Sequence, residues 1–302
     1  MGSVKRFDIQ RRVVSHMTSK SWMNVPHVVY LYEPDVTDFD QEYQALSNEE
    51  ALNGRKLSFN TVMLRVIVEG LIAAPDLNAI ISYHHKRGEG TLEICDNINI
   101  CVPWLLPDGR MITPVISDAK SITLSALAES ISELEKKISN TNVDELLYKA
   151  ALSDTINELK RFNLGIFRRI FASLLGPHRI KGLSGKEKEE YYSIPQADRL
   201  SEQNLISGTV TISNIGALYK QQKGCFGLLE IVPPQVFAVG LGAMQEKPGV
   251  YTESDGTKTI GIRKFLPMCL VFDHRGIDFI SLIPFLKTLD HIFLEPGAIH
   301  NW

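Results

Sequence analysis

Apolar and polar positions alternate along the chain with two different periods. "RRVVSHMTSKSWMNVP" has the spacing of an amphipathic helix ended by the turn before Pro26. "HVVYLYEPDV" reads as a strand. From Asn60, taken as the N-cap, "TVMLRVIVEGLIAAP" is apolar nearly all round, which predicts a buried helix closed by Pro75. "LNAIISYH" and "TLEICDNINICVPWLL" read as strands. Pro107 to Gly109 form a turn, because Pro presets φ and Gly tolerates positive φ, and "RMITPVI" continues as the return strand. After a Thr123 cap, Leu127, Ile131, Leu134 and Ile138 recur at i, i+4, i+7 and i+11, one face of a helix. Residues 143–200 differ in character: "LLYKAALSDTINELKRFNLGIFRRIFASLLG" has a helical pattern broken near Gly165, and the polar stretch up to Asn204 reads as loop. "GTVTISNIG", "PPQVFAVGLGAM" and "PMCLVFDH" are strand-like, and "FISLIPFLKTLDHIFL" closes the chain as a helix. Strands and helices mix without strict βα alternation, so a mixed-sheet α/β domain fits better than a barrel or a dinucleotide-binding unit. There is no internal repeat and no glycine-rich phosphate loop.

Length allows a full core: 302 residues, 44% apolar and 22% charged, lie between one large domain and two ordinary ones. The net charge of −3 gives no global signal for nucleic acid. No apolar run approaches the ~20 residues of a membrane span, and the basic start "MGSVKRFDIQRR" lacks the apolar stretch of a signal peptide. Cys95, Cys101, Cys225 and Cys269 are scattered without a CxxC, so reduced structural thiols in a cytoplasmic protein are expected. His84 and His85 are adjacent and cannot share a face, so no metal site is expected.

The candidate chemistry lies in "VFDHRGIDF". His274 follows the apolar run "CLVF" at the end of a buried strand, a common position for functional groups. Taken alone, such a histidine is more often structural. Asp273, Arg275 and Asp278, however, crowd ionisable groups around it beside an apolar strand, which is costly without a role.

This stretch resembles the His-x-x-x-Asp-Gly signature of the chloramphenicol acetyltransferase superfamily. Its "DHR" is most similar to the catalytic domain of dihydrolipoamide acyltransferases, the core subunits of 2-oxo acid dehydrogenase complexes. The similarity continues in order through "RRVVSHM…NVPHVVYLYEPDVTDF", "LSFNTVMLRVIVEGLIAAPDLNA", "NINICVPWLLPDGRMITPVISDAKSITLSALAESISEL", "GTVTISNIG" and "PPQVFAVGLGA". It covers most of residues 8–296 apart from about 143–200. The resemblance implies one acyltransferase domain over 1–302, a two-layer α/β sandwich with a mixed sheet, assembled as a trimer with active sites at subunit interfaces.

By the same resemblance, His274 is a general base on a thiol or hydroxyl that attacks an acyl thioester. Ser213, from a neighbouring subunit, stabilises the oxyanion. Asp278 holds the loop and the imidazole, with Arg11 or Arg12 as its ion-pair partner. Thr211, one alternation away on the same face, is a lesser candidate, and Asn214 shapes the turn. The donor is a coenzyme A thioester or an acyl carrier protein, with no tightly bound cofactor. A poised imidazole fits this chemistry because thiols and alcohols are mostly protonated near neutrality, and a preplaced hydroxyl stabilises charge developing on the thioester oxygen.

Three departures from the family pattern change the expectations. Phe279 replaces the motif glycine and Gly276 stands inside the motif, so the loop is reshaped. The chain carries no lipoyl or subunit-binding domain, which points to a separate lipoyl protein or another acceptor and tilts slightly toward a metabolite. The tail "EPGAIHNW" lacks the Leu-rich end that joins trimers into larger cores, so an isolated trimer is expected. The segment 143–200 is also basic: from Lys160 to Glu190 eight Lys/Arg face three Asp/Glu, a local +5 against −8 elsewhere. Arg168, Arg169, Arg179 and Lys181 there are read as a solvated helix face, as a docking patch for an acidic carrier or for coenzyme A phosphates, or as a membrane-surface contact. The alternative to an enzyme is a trimeric scaffold that kept the fold without catalysis.

Overall fold

The computed structural model describes residues 2, 4, 7, 9–48, 57–146, 149, 182–227, 229–253 and 255–302. Contacts divide the chain into two compact units, one of Met1–Ser19 with Ile131–Ser207 and one of Lys20–Ser130 with Gly208–Trp302.

The second unit is built on a six-stranded sheet. In chain order the strands of this unit are β1 (His27–Tyr32), β2 (Ala79–His84), β3 (Glu89–Ile94), β4 (Ile100–Cys101), β5 (Trp104–Leu105), β6 (Met111–Ile112), β7 (Val115–Ile116), β8 (Val210–Asn214), β9 (Phe237–Leu241), β10 (Gln245–Thr252), β11 (Lys258–Phe265) and β12 (Met268–Asp273). The large sheet runs β1-β12-β9-β8-β4-β7, with β2-β3, β5-β6 and β10-β11 as separate two-stranded ribbons. It is mixed: β8 lies parallel to β4 and β9, and the other pairings are antiparallel. β9 and β12 are buried at every position, which explains why "FAVGL" and "MCLVF" read as unbroken apolar runs. The C-terminal helix α7 (Phe279–Leu294) packs on the sheet through Phe285, whose ring meets Phe237 at 5.4 Å, and on α3 (Phe59–Ala73), where a β-carbon at Gly70 would lie 2.6 Å from the Phe285 ring.

Several elements differ from the sequence reading. Ser58, not Asn60, caps α3: its hydroxyl accepts from the Thr61 N–H at 3.1 Å, while Asn60 lies within the first turn and its amide oxygen accepts from Asn214. α2 (Thr37–Asn48) and the β10–β11 ribbon are further elements, and "RMITPVI" divides into β6 and β7, which join different sheets. The Thr123 hydroxyl accepts from the Ala126 N–H at 3.2 Å and opens α4 (Leu124–Ser139), as its periodicity predicts.

In the first unit, Glu145 is buried, accepting the Tyr192 hydroxyl at 2.6 Å and the Leu183 N–H at 2.8 Å. Burial raises its pKa, but these bonds outweigh that and hold the carboxyl below its ordinary value. Tyr192 lies on α5 (Gly185–Ser193), a helix inside the stretch expected to be loop, and α6 (Gln203–Ile206) is a single turn. The expected helix with its break near Gly165, and the candidate docking cations Arg168, Arg169, Arg179 and Lys181, lie outside the described residues.

Candidate active site

β12 delivers His274 to the end of the sheet. The His274 N–H still bonds the Pro26 carbonyl at 3.0 Å, one step beyond the His27–Asp273 pair. The chain then folds tightly, with the N–H groups of Gly276 and Ile277 both donating to the Asp273 carbonyl, at 3.2 and 3.0 Å. The four ionisable groups of this stretch separate into two pairs. Asp273 is fully buried and takes Arg275 through Nε and Nη2 at 2.5–3.1 Å, and its Oδ1 also accepts the Arg275 backbone N–H. That pair closes the loop and neutralises the buried carboxylate. The other pair faces solvent: the His274 and Asp278 side chains are 51% and 76% exposed, so both are accessible to a substrate.

Nδ1 of His274 lies 3.0 Å from the Ile277 carbonyl oxygen and 3.3 Å from Asp278 Oδ1. Both oxygens accept, which selects the tautomer of the neutral imidazole with the proton on Nδ1 and the lone pair on Nε2. The Phe272 ring meets the imidazole edge-on at 5.9 Å. Asp278 occupies the N-cap position of α7 but makes no side-chain capping bond, so its carboxylate is turned to the imidazole. The next residue, Phe279, packs against Tyr30 with ring centroids 5.4 Å apart, and both rings are partly exposed.

Ser213 is half-buried near the end of β8. It is not beside His274. Ser213 pairs with Gly240, and Gly240 pairs with Cys269, so serine and Cys269 share one level of the sheet. His274 is five residues further along β12, roughly 16 Å, and two strand spacings, about 10 Å, to the side. β8 and β12 run in opposite directions, so the two side chains sit at opposite ends of the same sheet. The Thr211 hydroxyl is buried and donates to Gln235 Oε1 at 2.7 Å. Asn214 bonds Asn60 and accepts the Ala217 N–H, which fixes the turn after β8. Arg11 is exposed on α1 (Ile9–Asn24), and the Arg12 side chain lies outside the described residues.

Burial raises the pKa of all four thiols, Cys269 to about 11, which keeps them protonated and poorly nucleophilic. Among the described residues no cluster of His, Cys, Asp and Glu could hold a metal, and no helix is long and apolar enough to cross a membrane. A cavity of about 810 Å³, lined in part by Asp35, Tyr251, Arg263 and Asp290, lies toward the other end of β1, where the Tyr32 hydroxyl bonds Asp290. It is remote from His274, and its central cation Arg263 is already committed to Asp35 and Asp38.

The family model for the 2-oxoacid dehydrogenases acyltransferase (catalytic domain) matches residues 3–146 and 185–300. The chain belongs to this family. It is 23% identical over 301 residues to the dihydrolipoyllysine-residue acetyltransferase component of the Mycobacterium bovis pyruvate dehydrogenase complex, covering 98% of this chain and 42% of that protein. A similar component of the Bacillus subtilis acetoin cleaving system is 24% identical, with 96% of this chain and 54% of that protein covered. The chain thus spans about half or less of the length of these relatives. Among solved structures, the Azotobacter vinelandii dihydrolipoamide acetyltransferase superposes with a TM-score of 0.65 at 20% identity, covering 99% of this chain and 94% of that one. The probable Listeria monocytogenes dihydrolipoamide acetyltransferase gives 0.63 at 18% identity, covering 97% and 95%. These superpositions establish the mixed α/β fold of the acyltransferase cores.

Some residues of the site had no signal of their own in the sequence. The Ile277 and Pro26 carbonyls are backbone groups, so side-chain identity does not reveal them. The Asp273–Arg275 pair was visible as the outer letters of "DHR", but its closing role follows only from the burial of Asp273.

Proposed function

We propose that this chain is an acyltransferase domain that moves an acyl group from a coenzyme A or carrier thioester to a thiol or hydroxyl acceptor. The observation that carries this reading is the pair of acceptors at Nδ1 of the half-exposed His274, which leaves Nε2 to act on a substrate. Nε2 takes the proton of the acceptor thiol or alcohol as it attacks the thioester carbonyl, then returns it to the departing thiolate. The imidazolium formed between these steps is stabilised by the Ile277 carbonyl and by Asp278. Ser213 is the oxyanion donor and comes from a second copy, since the sheet register separates it from His274 within one chain. Three copies around one axis place each base against a neighbour's serine.

Dihydrolipoamide is the favoured acceptor, because the relatives are named for the dihydrolipoyllysine residue. The Azotobacter vinelandii work concerns catalytic roles of a serine, a histidine and an asparagine four positions after the histidine, the spacing of His274 and Asp278. The test is thioester consumption from a panel of acyl-CoAs with free dihydrolipoamide. His274→Ala is expected to lower kcat roughly 100- to 10,000-fold with the circular dichroism spectrum unchanged. An unaltered rate would remove the base role.

A further inference from the structure

We infer that the β2–β3 hairpin is a positioning element for the base, with Tyr83, Ile81 and Leu92 fixing His274 through Arg275 and Gly276. This rests on the reading of His274 as the base and adds residues outside its motif. Ile81 and Tyr83 are two positions apart on β2 and so point to the same face. Leu92 is the cross-strand partner of Ile81, and Gly90 is the partner of Tyr83. That face meets the His274 loop at two points. The Arg275 guanidinium stands 5.5 Å from the Tyr83 ring centroid, within cation–π range. A β-carbon at Gly276 would lie 3.1 Å from Ile81 Cδ1 and 3.4 Å from Leu92 Cδ1, so the loop backbone rests directly on the hairpin. A β-carbon at Gly90 would come within 3.0 Å of Tyr83 Cδ2, and glycine there lets the ring lie across the ribbon.

The hairpin is anchored at its base. The Ile81 N–H bonds the Pro234 carbonyl at 2.9 Å, and Ile80 bridges to Gln235, just before β9. It therefore acts as a fixed backstop. What it supports is the backbone of Gly276 and Ile277, whose carbonyl holds the His274 Nδ1 proton. A displacement of a few tenths of an ångström at Gly276 moves that carbonyl, weakens the bond and frees the ring to rotate or change tautomer. Gly276 is thus explained by contact with the hairpin, and Tyr83 by its cover over the Asp273–Arg275 clasp.

The experiment compares wild type, Gly276→Ala, Tyr83→Leu, Leu92→Ala and Tyr83→Phe. Two readouts are taken: steady-state acyl transfer to dihydrolipoamide, and the nitrogen-15 shifts of His274 in histidine-labelled protein. The first three variants are expected to lower kcat roughly 10- to 100-fold with KM within about twofold, and to shift His274 from the Nδ1–H tautomer toward a mixture. Tyr83→Phe keeps the ring beneath the guanidinium and is expected to restore both readouts. A wild-type tautomer and wild-type kcat in Gly276→Ala and Leu92→Ala would overturn the inference, as would a loss confined to KM. If wild type transfers no acyl group while the tautomer still responds to the hairpin variants, the acyltransferase reading fails and the positioning role stands.

Discussion

His274 Nδ1 lies closer to a backbone carbonyl, at 3.0 Å, than to the Asp278 carboxylate, at 3.3 Å. The carbonyl is fixed by the buried Ile277, whereas Asp278 is largely exposed and its charge is screened by water. The carbonyl therefore sets the tautomer and the carboxylate adds a modest bias. Asp278→Asn keeps an oxygen acceptor and is expected to reduce kcat by about fivefold or less, and Asp278→Ala by more; the kcat ratio at saturating thioester measures this. The two departures from the family motif also become physical at this scale. Gly276 meets the hairpin, and Phe279 pairs with Tyr30 on the edge strand. Phe279→Ala is expected to cost about 1 kcal/mol in urea unfolding from the lost aromatic pair.

Between elements, one charged cluster ties the β10–β11 ribbon to α2 and the loop before it. Arg263 on β11 donates to Asp35 at 2.6 Å and to Asp38 at 3.0 Å, with the Tyr251 ring 4.9 Å from its guanidinium. Burial works to raise the Asp35 pKa, but the hydrogen bonds from Thr37 and Arg263 outweigh it and hold the carboxyl below its ordinary value. A depressed folded pKa gives stability that is fully present above the unfolded value near 3.8 and is lost as pH falls through the folded one. Arg263→Ala is accordingly expected to lose about 1.5–3 kcal/mol at pH 7. The gap to wild type should be narrower at pH 2, because the stability that Asp35 contributes is lost as pH falls through its lowered folded pKa. Urea unfolding at the two pH values tests the sign: a gap that widens in acid would contradict it. Ser58 acts at the same scale, and its loss as the α3 cap is expected to cost about 1 kcal/mol.

For the whole molecule, the decisive geometry is the separation of His274 and Ser213 by sheet register. A site made from two copies has a stoichiometric signature. His274→Ala and Ser213→Ala chains, each nearly inactive alone, are expected to recover about one quarter of wild-type activity when co-assembled in equal amounts. One site in four then pairs an intact histidine with an intact serine. Recovery at the level of the separate variants would mean that both residues of each site come from one chain.

Much of this was legible in the chain itself, because the signals are local. The short apolar runs of β9 and β12 and the helical period of α4 marked these elements from adjacent residues alone. The order of motifs pointed to the acyltransferase fold, and it marked His274, Ser213 and Asp278 as candidates. What could not be read are relations between segments distant in sequence. Asn60 and Ser58 are both capping residues, and only backbone geometry selects Ser58. Four of eight residues of β10 and three of eight of β11 are exposed, and polar residues interrupt both strands, so neither forms an apolar run. Thr211 shares a face with Ser213 in the sequence, but Gln235, 24 residues away, takes its hydroxyl. Sequence by itself determined that His274 and Ser213 stand at strand ends, since the apolar pattern and side-chain type are properties of a few adjacent residues. Only the tertiary structure decided that a backbone carbonyl meets His274 Nδ1, that a hairpin nearly two hundred residues earlier packs against its loop, and that Ser213 lies at the opposite end of the sheet. Those depend on register and close contact between segments whose separation along the chain carries no record of their distance in space.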